Sequence, residues 1–279
     1  MELDRQIYDE QAARWNGDSG RAWAEQQAPL DAMFKPFETL LTETLVPGER
    51  VLDVGCGTGG TTLAAARTTG GNGHCVGVDI SAPMLDAARA RDAREGARVT
   101  FVQADAETYA FEAASFDAII SRFGVMFFGD PVAAFANLRR AARPGGRLCF
   151  AAWRSPAENP FMTTTERAAA PFLKNVPARP ANGPGQFAFA DATRVRAILE
   201  ESGWRDIAVR PIDVTCSFAR RDLVSFFTRL GPLGVIFRDV DAATRENVIE
   251  AVRAAFNPFV DGDEVRYTAA CWLVSARAP

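Results

Sequence analysis

The sequence predicts an α/β protein with a doubly wound sheet that carries helices on both faces. Short apolar runs alternate with helix-like stretches, and these runs lie at 51–54, 75–80, 99–104, 116–121 and 147–153. Such an alternation is typical of parallel crossover units. Glycines at 55, 57 and 59 follow the first run directly, where a strand must turn sharply into a helix.

The composition is that of a globular chain without a nucleic-acid or membrane partner. Of the 279 residues, 48% are hydrophobic and 24% are charged, which is enough apolar material for a large core. The net charge of −4 provides no broad basic face for a phosphate backbone, and no uninterrupted apolar run is long enough to cross a bilayer. The first ten residues lack the apolar core of a signal peptide, so we expect a cytoplasmic protein.

The five cysteines indicate neither a disulfide framework nor a zinc site. They stand at 56, 75, 149, 216 and 271, four of them in apolar strand-like runs, and no CxxC pair occurs. We therefore expect reduced thiols in the core and no metal ligand among them.

The stretch 51–60, VLDVGCGTGG, indicates a strand, a glycine turn and the start of a helix. The backbone amides of the turn and the positive end of the helix favour a polar or anionic ligand edge, and the missing side chains let that ligand approach. Two cofactor classes share this design. The dinucleotide fingerprint GxGxxG starts at Gly55, whereas the alternative pattern DxGxGxG starts at Asp53. A glycine turn without a ligand is the third interpretation.

An acidic residue ends the second predicted strand. Asp79 follows Asp53 by 26 residues (79 minus 53), close to where a carboxylate binds the ribose hydroxyls of a nucleoside. Both cofactor classes use that contact, so Asp79 indicates a nucleoside without choosing between them.

The segment 49–153 resembles the class I S-adenosylmethionine-dependent methyltransferases, in particular their quinone-biosynthesis and natural-product group. The resemblance rests on DxGxGxG at Asp53, which is similar to motif I of that family, on Asp79, and on RPGGRL before the fifth strand. It implies that Asp105, after the third strand, accepts the exocyclic amine of adenine. It also implies a seven-stranded, mostly parallel sheet with an antiparallel last strand, and S-adenosyl-L-methionine as cofactor, with S-adenosyl-L-homocysteine as product.

The predicted cofactor site combines these motifs with an N-terminal lid, because the family often folds the preceding segment over its ligands. Trp23 and Gln26 stand with Trp15 in an otherwise polar stretch, and plain packing remains the alternative for all three. The cofactor-binding set is Asp53, Gly55, Cys56, Gly57, Asp79, Ile80, Met84, Asp105, Ala106, Ser121, Trp23 and Gln26. Met84 is either an apolar contact for the purine or core.

Six segments are expected along the chain. They are an N-terminal helical lid (1–48), a Rossmann-like S-adenosylmethionine-binding core (49–153), a rim insertion (154–190), a continuation of the core (191–218), a helical cap insertion (219–262) and the closing strand (263–279). The predicted helices run from Leu30 to near Pro47, over 82–95 with Ser81 as cap, from Pro131 to the RPGG turn, over 191–202, and in two pieces over 219–257 broken at Gly231.

The carboxyl ends of parallel strands share one rim, where such sheets bind their ligands. The loop after the fourth strand, 121–128, should therefore border the transferable methyl group, and it is unusually apolar. The predicted substrate-binding residues are Arg122, Phe123, Met126, Phe127, Trp153 and Phe161, with Phe128, Phe226 and Phe227 as further candidates. They favour a small apolar or aromatic acceptor. Arg122 either holds an anionic group on it or pairs with a neighbouring acid.

Methyl transfer from a sulfonium is an in-line displacement that needs a nucleophile about 3 Å from the methyl group and the exclusion of water. The single histidine, His74, stands at the other end of its strand from the rim, so no histidine base is expected. Tyr8, Glu158 and Tyr267 are weak candidates for a base. The fourth strand ends in Ser121 and Arg122, where metal-dependent catechol methyltransferases place a ligating acid, so no metal is expected.

The sequence thus predicts an S-adenosylmethionine-dependent methyltransferase, a monomer or homodimer, that acts on a small molecule by proximity and desolvation. Two other functions stay open. One is an NAD(P)-dependent oxidoreductase, against which Asp53, Asp105 and the lack of a proton-moving histidine at the rim argue. The other is an S-adenosylmethionine-binding protein without catalysis.

Overall fold

A central sheet of eight strands organises the residues that the computed structural model describes, which are 2–97, 99–173, 183–237 and 240–279. The side chains of residues 2–8, 232 and 235 lie outside this description. The strands are β1 Arg50–Val54, β2 His74–Asp79, β3 Val99–Gln103, β4 Phe116–Arg122, β5 Ala142–Trp153, β6 Arg205–Ala219, β7 Val260–Asp261 and β8 Glu264–Arg277.

The sheet order confirms the predicted architecture. Seven strands follow one another as β3-β2-β1-β4-β5-β8-β6. The neighbours from β3 to β5 pair in parallel, and β8 runs antiparallel to both β5 and β6. The two-residue β7 pairs only with the start of β8 and adds an eighth strand that the sequence did not indicate. All parallel strands therefore present their carboxyl ends at one edge.

Eleven α-helices surround this sheet in the described ranges. They are α1 Glu2–Asn16, α2 Asp18–Glu25, α3 Gln27–Thr42, α4 Gly60–Thr69, α5 Ala82–Glu95, α6 Pro131–Ala141, α7 Pro160–Ala169, α8 Ala192–Glu201, α9 Leu223–Arg229, α10 Gly231–Ile236 and α11 Ala242–Phe256. Side-chain caps fix several starts, because the carboxylates of Asp130, Asp191 and Asp241 and the hydroxyl of Ser81 accept bonds from backbone amides of the first turn. No described helix is long and apolar enough to cross a membrane.

Three element boundaries differ from the prediction. Helix α3 ends at Thr42 instead of near Pro47, and the Thr42 hydroxyl donates back to the carbonyl of Glu38. Strand β5 starts at Ala142 and contains the predicted RPGG turn, because the amide of Gly145 and the carbonyl of Gly146 both bond Ala278 beyond β8. The polar stretch before α3, for which no element was predicted, is helix α2.

The cap contains three helices instead of two. Helix α10 begins at Gly231, as predicted for the break, but a further helix, α11, starts after the Asp241 cap. The rim insertion, 154–190, contains α7, and its residues 174–182 lie outside the described part of the chain. The six segment boundaries themselves stay predictions.

The core consists of side chains from the sheet and from the helices that cover it. Its largest fully buried members include Phe37, Phe135, Phe150 and Trp204. The Trp204 indole N–H donates to the carbonyl of Phe135 at 3.0 Å, so that its polar atom is satisfied inside the core. All five cysteines are buried free thiols, as the sequence predicts.

Candidate functional site

A cavity of about 630 Å³ opens at the carboxyl ends of β1, β2 and β4, a common volume for a small-molecule site. One group of lining residues, here called the polar wall, comprises residues 54–58, 78–80, 104–107, Asp31, Met84 and Arg122. A second group, here called the aromatic wall, comprises Trp15, Trp23, Phe34, Phe123, Phe127, Trp153, Phe161, Phe226 and Phe227. Both walls border one continuous space.

The glycine turn after β1 is shaped by two close backbone contacts. Gly55 has a φ of +66°, and a Cβ there would lie 2.6 Å from the Cα of Gly124 in the loop after β4. A Cβ at Gly124 would in turn meet the carbonyl oxygen of Val54 at 2.6 Å. No other residue type fits at either position without moving the backbone. The two loops therefore meet at the base of the cavity because both contact residues lack side chains.

Asp79, the last residue of β2, is the centre of the polar wall. Its two carboxylate oxygens accept bonds from the backbone amides of Gly57 and Ser81, each at 2.8 Å. Burial raises the pKa of Asp79, and these two amides oppose that rise. Each carboxylate oxygen keeps a lone pair for a further donor. Ile80, Met84 and Cys56, three other residues of the predicted cofactor set, line the cavity beside it.

Asp105 lines the same wall two strands from the glycine turn. Its Oδ1 accepts a bond from the amide of Glu107 at 2.9 Å, and burial raises its pKa. Ala106 lies next to it in the lining. Glu107 bonds the amides of Gly129 and Asp130 at 2.9 and 3.2 Å, which joins the loop after β3 to the start of α6.

A charged pair completes the polar wall, and its acidic member, Asp31, is the residue that sequence reasoning missed. Asp31, in the first turns of α3, lies 3.9 Å from the Nη2 of Arg122, and its Oδ2 accepts a 2.7 Å bond from Arg91. Arg122 Nη1 and Asp31 Oδ1 are both buried without a hydrogen-bond partner. Burial lowers the pKa of Arg122, and Asp31 opposes this. Of the two predicted roles for Arg122, the structure shows the pairing with an acid.

The aromatic wall rests on edge and stacking contacts. Phe123 and Trp153 stack with ring centroids 4.4 Å apart and planes 9° apart, and Phe34 packs on Phe123 from the side. Phe123 adopts φ +64°, unusual for a residue with a side chain. Trp15 contacts Phe127 edge-on at 5.1 Å. The other predicted substrate residues, Met126 and Phe161, also line the cavity, as do Phe128, Phe226 and Phe227.

Three residues of the predicted cofactor set do not reach the cavity. Asp53 is buried behind the glycine turn, where its Oδ2 accepts a bond from Thr62 at 2.7 Å and burial raises its pKa to about 6. Ser121 donates to the carbonyl of Val54 at 2.7 Å and so joins β4 to β1. Gln26 accepts a bond from Ser225 at 2.9 Å and so joins the N-terminal helices to the cap. Asp53, Ser121 and Gln26 thus bond residues of α4, β1 and α9, respectively.

The candidate bases also lie outside the lining. Glu158 bonds Arg154 and Ser155 at the surface, and Arg154 lowers its pKa. Tyr267 is buried among core residues, and burial raises its pKa well above the ordinary value. Tyr8 lies in α1, but its side chain is outside the described part. His74 begins β2 at the opposite edge, within 3.3 Å of the Thr100 hydroxyl.

Comparison with known sequences shows that the chain is similar to methyltransferases. A family model described as a methyltransferase domain matches residues 51–146. The chain is 39% identical over 120 residues to the aklanonic acid methyltransferase DauC of Streptomyces sp. (strain C5), covering 42% of this chain and 54% of DauC. It is 30% identical over 181 residues to a demethylmenaquinone methyltransferase of Mycobacterium sp. (strain KMS), covering 62% of this chain and 75% of that protein. The chain therefore spans about half the length of DauC.

A solved structure is similar over almost the whole chain. The SAM-dependent methyltransferase from Aquifex aeolicus matches with a TM-score of 0.55 and covers 93% of this chain and 98% of its own. Because only 16% of the aligned residues are identical, this likeness concerns the fold alone.

Proposed function

The chain belongs to the S-adenosylmethionine-dependent methyltransferases, and from this premise we propose that it transfers a methyl group from S-adenosyl-L-methionine to a small, apolar or aromatic acceptor. The observation that carries the proposal is the single cavity with two unlike walls. A polar wall with four carboxylates suits a nucleoside with an amino-acid end, and an aromatic wall suits a flat apolar ring.

The residues of the polar wall fit the cofactor. Asp79 keeps lone pairs for two ribose hydroxyls, and Asp105 can accept an exocyclic amine. The amino-acid end carries one ammonium and one carboxylate, and the buried, unpartnered atoms Asp31 Oδ1 and Arg122 Nη1 supply one partner of each sign. We therefore assign Asp31 and Arg122 to that end of the molecule.

S-adenosyl-L-methionine supplies an electrophilic methyl group on a sulfonium. The chain's own contribution is to orient two molecules and to exclude water. The glycine turn and Asp79 fix the nucleoside side, and Phe123 stacked on Trp153 gives the acceptor side a rigid floor. Glu158 and Tyr267 lie outside the cavity lining, and burial keeps the Tyr267 hydroxyl protonated. An acceptor that is acidic enough to bind as an anion needs no base.

The names of relatives support an acceptor of this kind. One is named for aklanonic acid and another for demethylmenaquinone, which is a quinone. A quinone ring would lie against the aromatic wall, since aromatic side chains favour offset or edge contacts with other rings. We propose ring-bound hydroxyl, carboxyl or carbon positions as the methylated groups.

The proposal is tested by transfer of a tritiated methyl group from S-adenosyl-L-methionine to a panel of hydroxyquinones, phenols, aromatic acids and amines. We expect transfer to one of the apolar ring classes and none to hydrophilic amines. His74→Ala is the matched control, because it alters the opposite edge of the sheet. Binding of S-adenosyl-L-homocysteine without transfer to any class would instead favour the non-catalytic alternative, and tighter binding of NAD would favour the oxidoreductase.

A further inference from the structure

Helix α2 contacts both the loop that follows Asp79 and the cap helix α9. Its first residues lie against the start of α5, and its last residue lies against α9. It contributes Asp18, Ser19 and Trp23 to the cavity lining. This short helix therefore joins the two halves of the site, which are far apart in sequence.

At the Asp79 end, the contact consists of hydrogen bonds between the N-terminal segment and the 80–82 loop. The Asn16 amide donates to the carbonyl of Ile80 at 3.0 Å and accepts from the amide of Ala82 at 2.9 Å. The Ser81 hydroxyl, between these two, donates to the carbonyl of Trp15 at 2.6 Å. A Cβ on Gly20 would overlap that carbonyl oxygen and lie 2.6 Å from Ser81 Oγ. These hydrogen bonds and the close approach at Gly20 thus fix the position of the N-terminal segment on the 80–82 loop.

The contact at the cap end is an ion pair and a hydrogen bond. Glu25, the last residue of α2, pairs with Arg229 of α9. The next residue, Gln26, accepts the 2.9 Å bond from Ser225 of the same helix. Because α9 also supplies Phe226 and Phe227 to the aromatic wall, its position decides the shape of the space for the acceptor.

We propose that Asn16, Gly20, Glu25 and Ser225 are positioning residues through which an occupied cofactor site holds α9 in place and so completes the acceptor site. The inference rests on the proposed function. Asp79 bonds the amide of Ser81, so a ligand on Asp79 steadies the 80–82 loop. The loop holds Trp15 and Asn16 at the end of α1 and contacts Gly20 of α2, and α2 holds α9 through Glu25. By linkage, an acceptor held by α9 tightens cofactor binding by the same factor.

Hydrogen exchange of the cap, with S-adenosyl-L-homocysteine as probe, tests this chain of contacts. In the unmodified protein we expect the probe to slow exchange at 223–237 by at least roughly fivefold, the lower end of usual coupling between sites. The double variant Glu25→Ala/Ser225→Ala breaks both cap contacts without touching the cavity lining. It should bind the probe within about threefold of normal, yet lose the slowing in the cap.

Two further variants make the test independent of one substitution. Asn16→Ala breaks the contact at the Asp79 end and should also abolish the effect on 223–237. Glu95→Ala removes the ion pair with Arg67, also at the surface but remote from α2, and should keep the effect. The inference is overturned if the probe still slows hydrogen exchange at 223–237 in both Asn16→Ala and the double variant. It is also overturned if the probe binds the unmodified protein without slowing exchange there. Failure of the probe to bind at all overturns the proposed function together with it.

Discussion

The two walls of the cavity are built from different kinds of sequence. Most of the polar wall comes from residues 54–107, a continuous run in which each strand is followed directly by the residue that lines the site. The aromatic wall comes from α1, α2, α3, α7 and α9, from the loop after β4 and from the end of β5. The cofactor side thus follows from local motifs, whereas the acceptor side exists only once distant helices have packed together.

The comparison also extends to polarity. In the polar wall, carboxylates accept bonds from backbone amides and keep lone pairs for a ligand, so hydrogen bonds fix the shape of this wall. In the aromatic wall, aromatic rings contact one another, and the shape of the wall depends on how the helices pack. Substitutions in the first wall should therefore alter cofactor affinity whatever the acceptor, and substitutions in the second should alter acceptor choice.

The largest effect is expected for Asp79→Ala. Two ribose hydroxyls lose a charged acceptor, which should weaken binding of S-adenosyl-L-homocysteine by roughly 2 to 4 kcal/mol in isothermal titration. Adenosine should be weakened similarly, because it carries the same ribose. Asp79→Asn, which keeps one acceptor oxygen, should fall between. Unchanged affinity in Asp79→Ala would remove this residue from the polar wall's function.

An effect of similar size is expected from Asp53, which should make the free energy of unfolding depend on pH. Burial raises its pKa from 3.8 to about 6, so between these values the folded protein holds a proton that the unfolded chain releases. Ionised Asp53 therefore costs stability above pH 6, and the cost disappears as the pH falls to about 4. From 1.36 kcal/mol per pKa unit it amounts to about 3 kcal/mol.

Chemical denaturation at several pH values measures this cost. The free energy of unfolding of the wild type minus that of Asp53→Asn should rise by about that amount from pH 7 to pH 4. A difference that stays constant with pH would show that Asp53 titrates normally in the folded protein.

A smaller effect, confined to one end of the ligand, is expected for Asp31→Asn. Loss of one charged partner for the ammonium should weaken S-adenosyl-L-homocysteine about tenfold, near the lower range for hydrogen bonds to charged groups. Adenosine has no amino-acid end, so its affinity should not change. Equal loss for both ligands would mean that Asp31 supports the wall instead of binding the amino-acid end.

The smallest effect is expected for His74→Ala. The ring lies at the opposite edge of the sheet, near the hydroxyl of Thr100. The free energy of unfolding and the free energy of binding S-adenosyl-L-homocysteine should both stay within about 0.5 kcal/mol of the values of the unmodified protein, as for most surface substitutions. A folded variant with no affinity would mean that the site lies elsewhere.

The sequence predicts the parallel sheet and the polar wall well for a physical reason. Alternating strands and helices allow few connections, and the residue after each strand must lie at the shared rim. Asp79 and Asp105 are found there. Asp53 and Ser121 show the limit of that reasoning, because position at a strand end does not tell whether a side chain points to the rim, to a helix as Asp53 does, or to a neighbouring strand as Ser121 does.

Asp31 and Asn16 could not be found from the sequence. Each is one polar residue in a helix with ordinary periodicity, and its role depends on a partner far along the chain, Arg122 for one and the 80–82 loop for the other. Long-range contacts of this kind leave no spacing to detect. The start of the third cap helix is different, because the Asp241 cap is a local signal that the sequence does carry.

The most direct test is a crystal structure of the protein with S-adenosyl-L-homocysteine. We expect the ribose hydroxyls within hydrogen-bond distance of Asp79, the adenine amine at Asp105, and the sulfur facing the stacked rings of Phe123 and Trp153. A nucleoside bound outside this cavity, or with its ribose turned away from Asp79, would contradict the account.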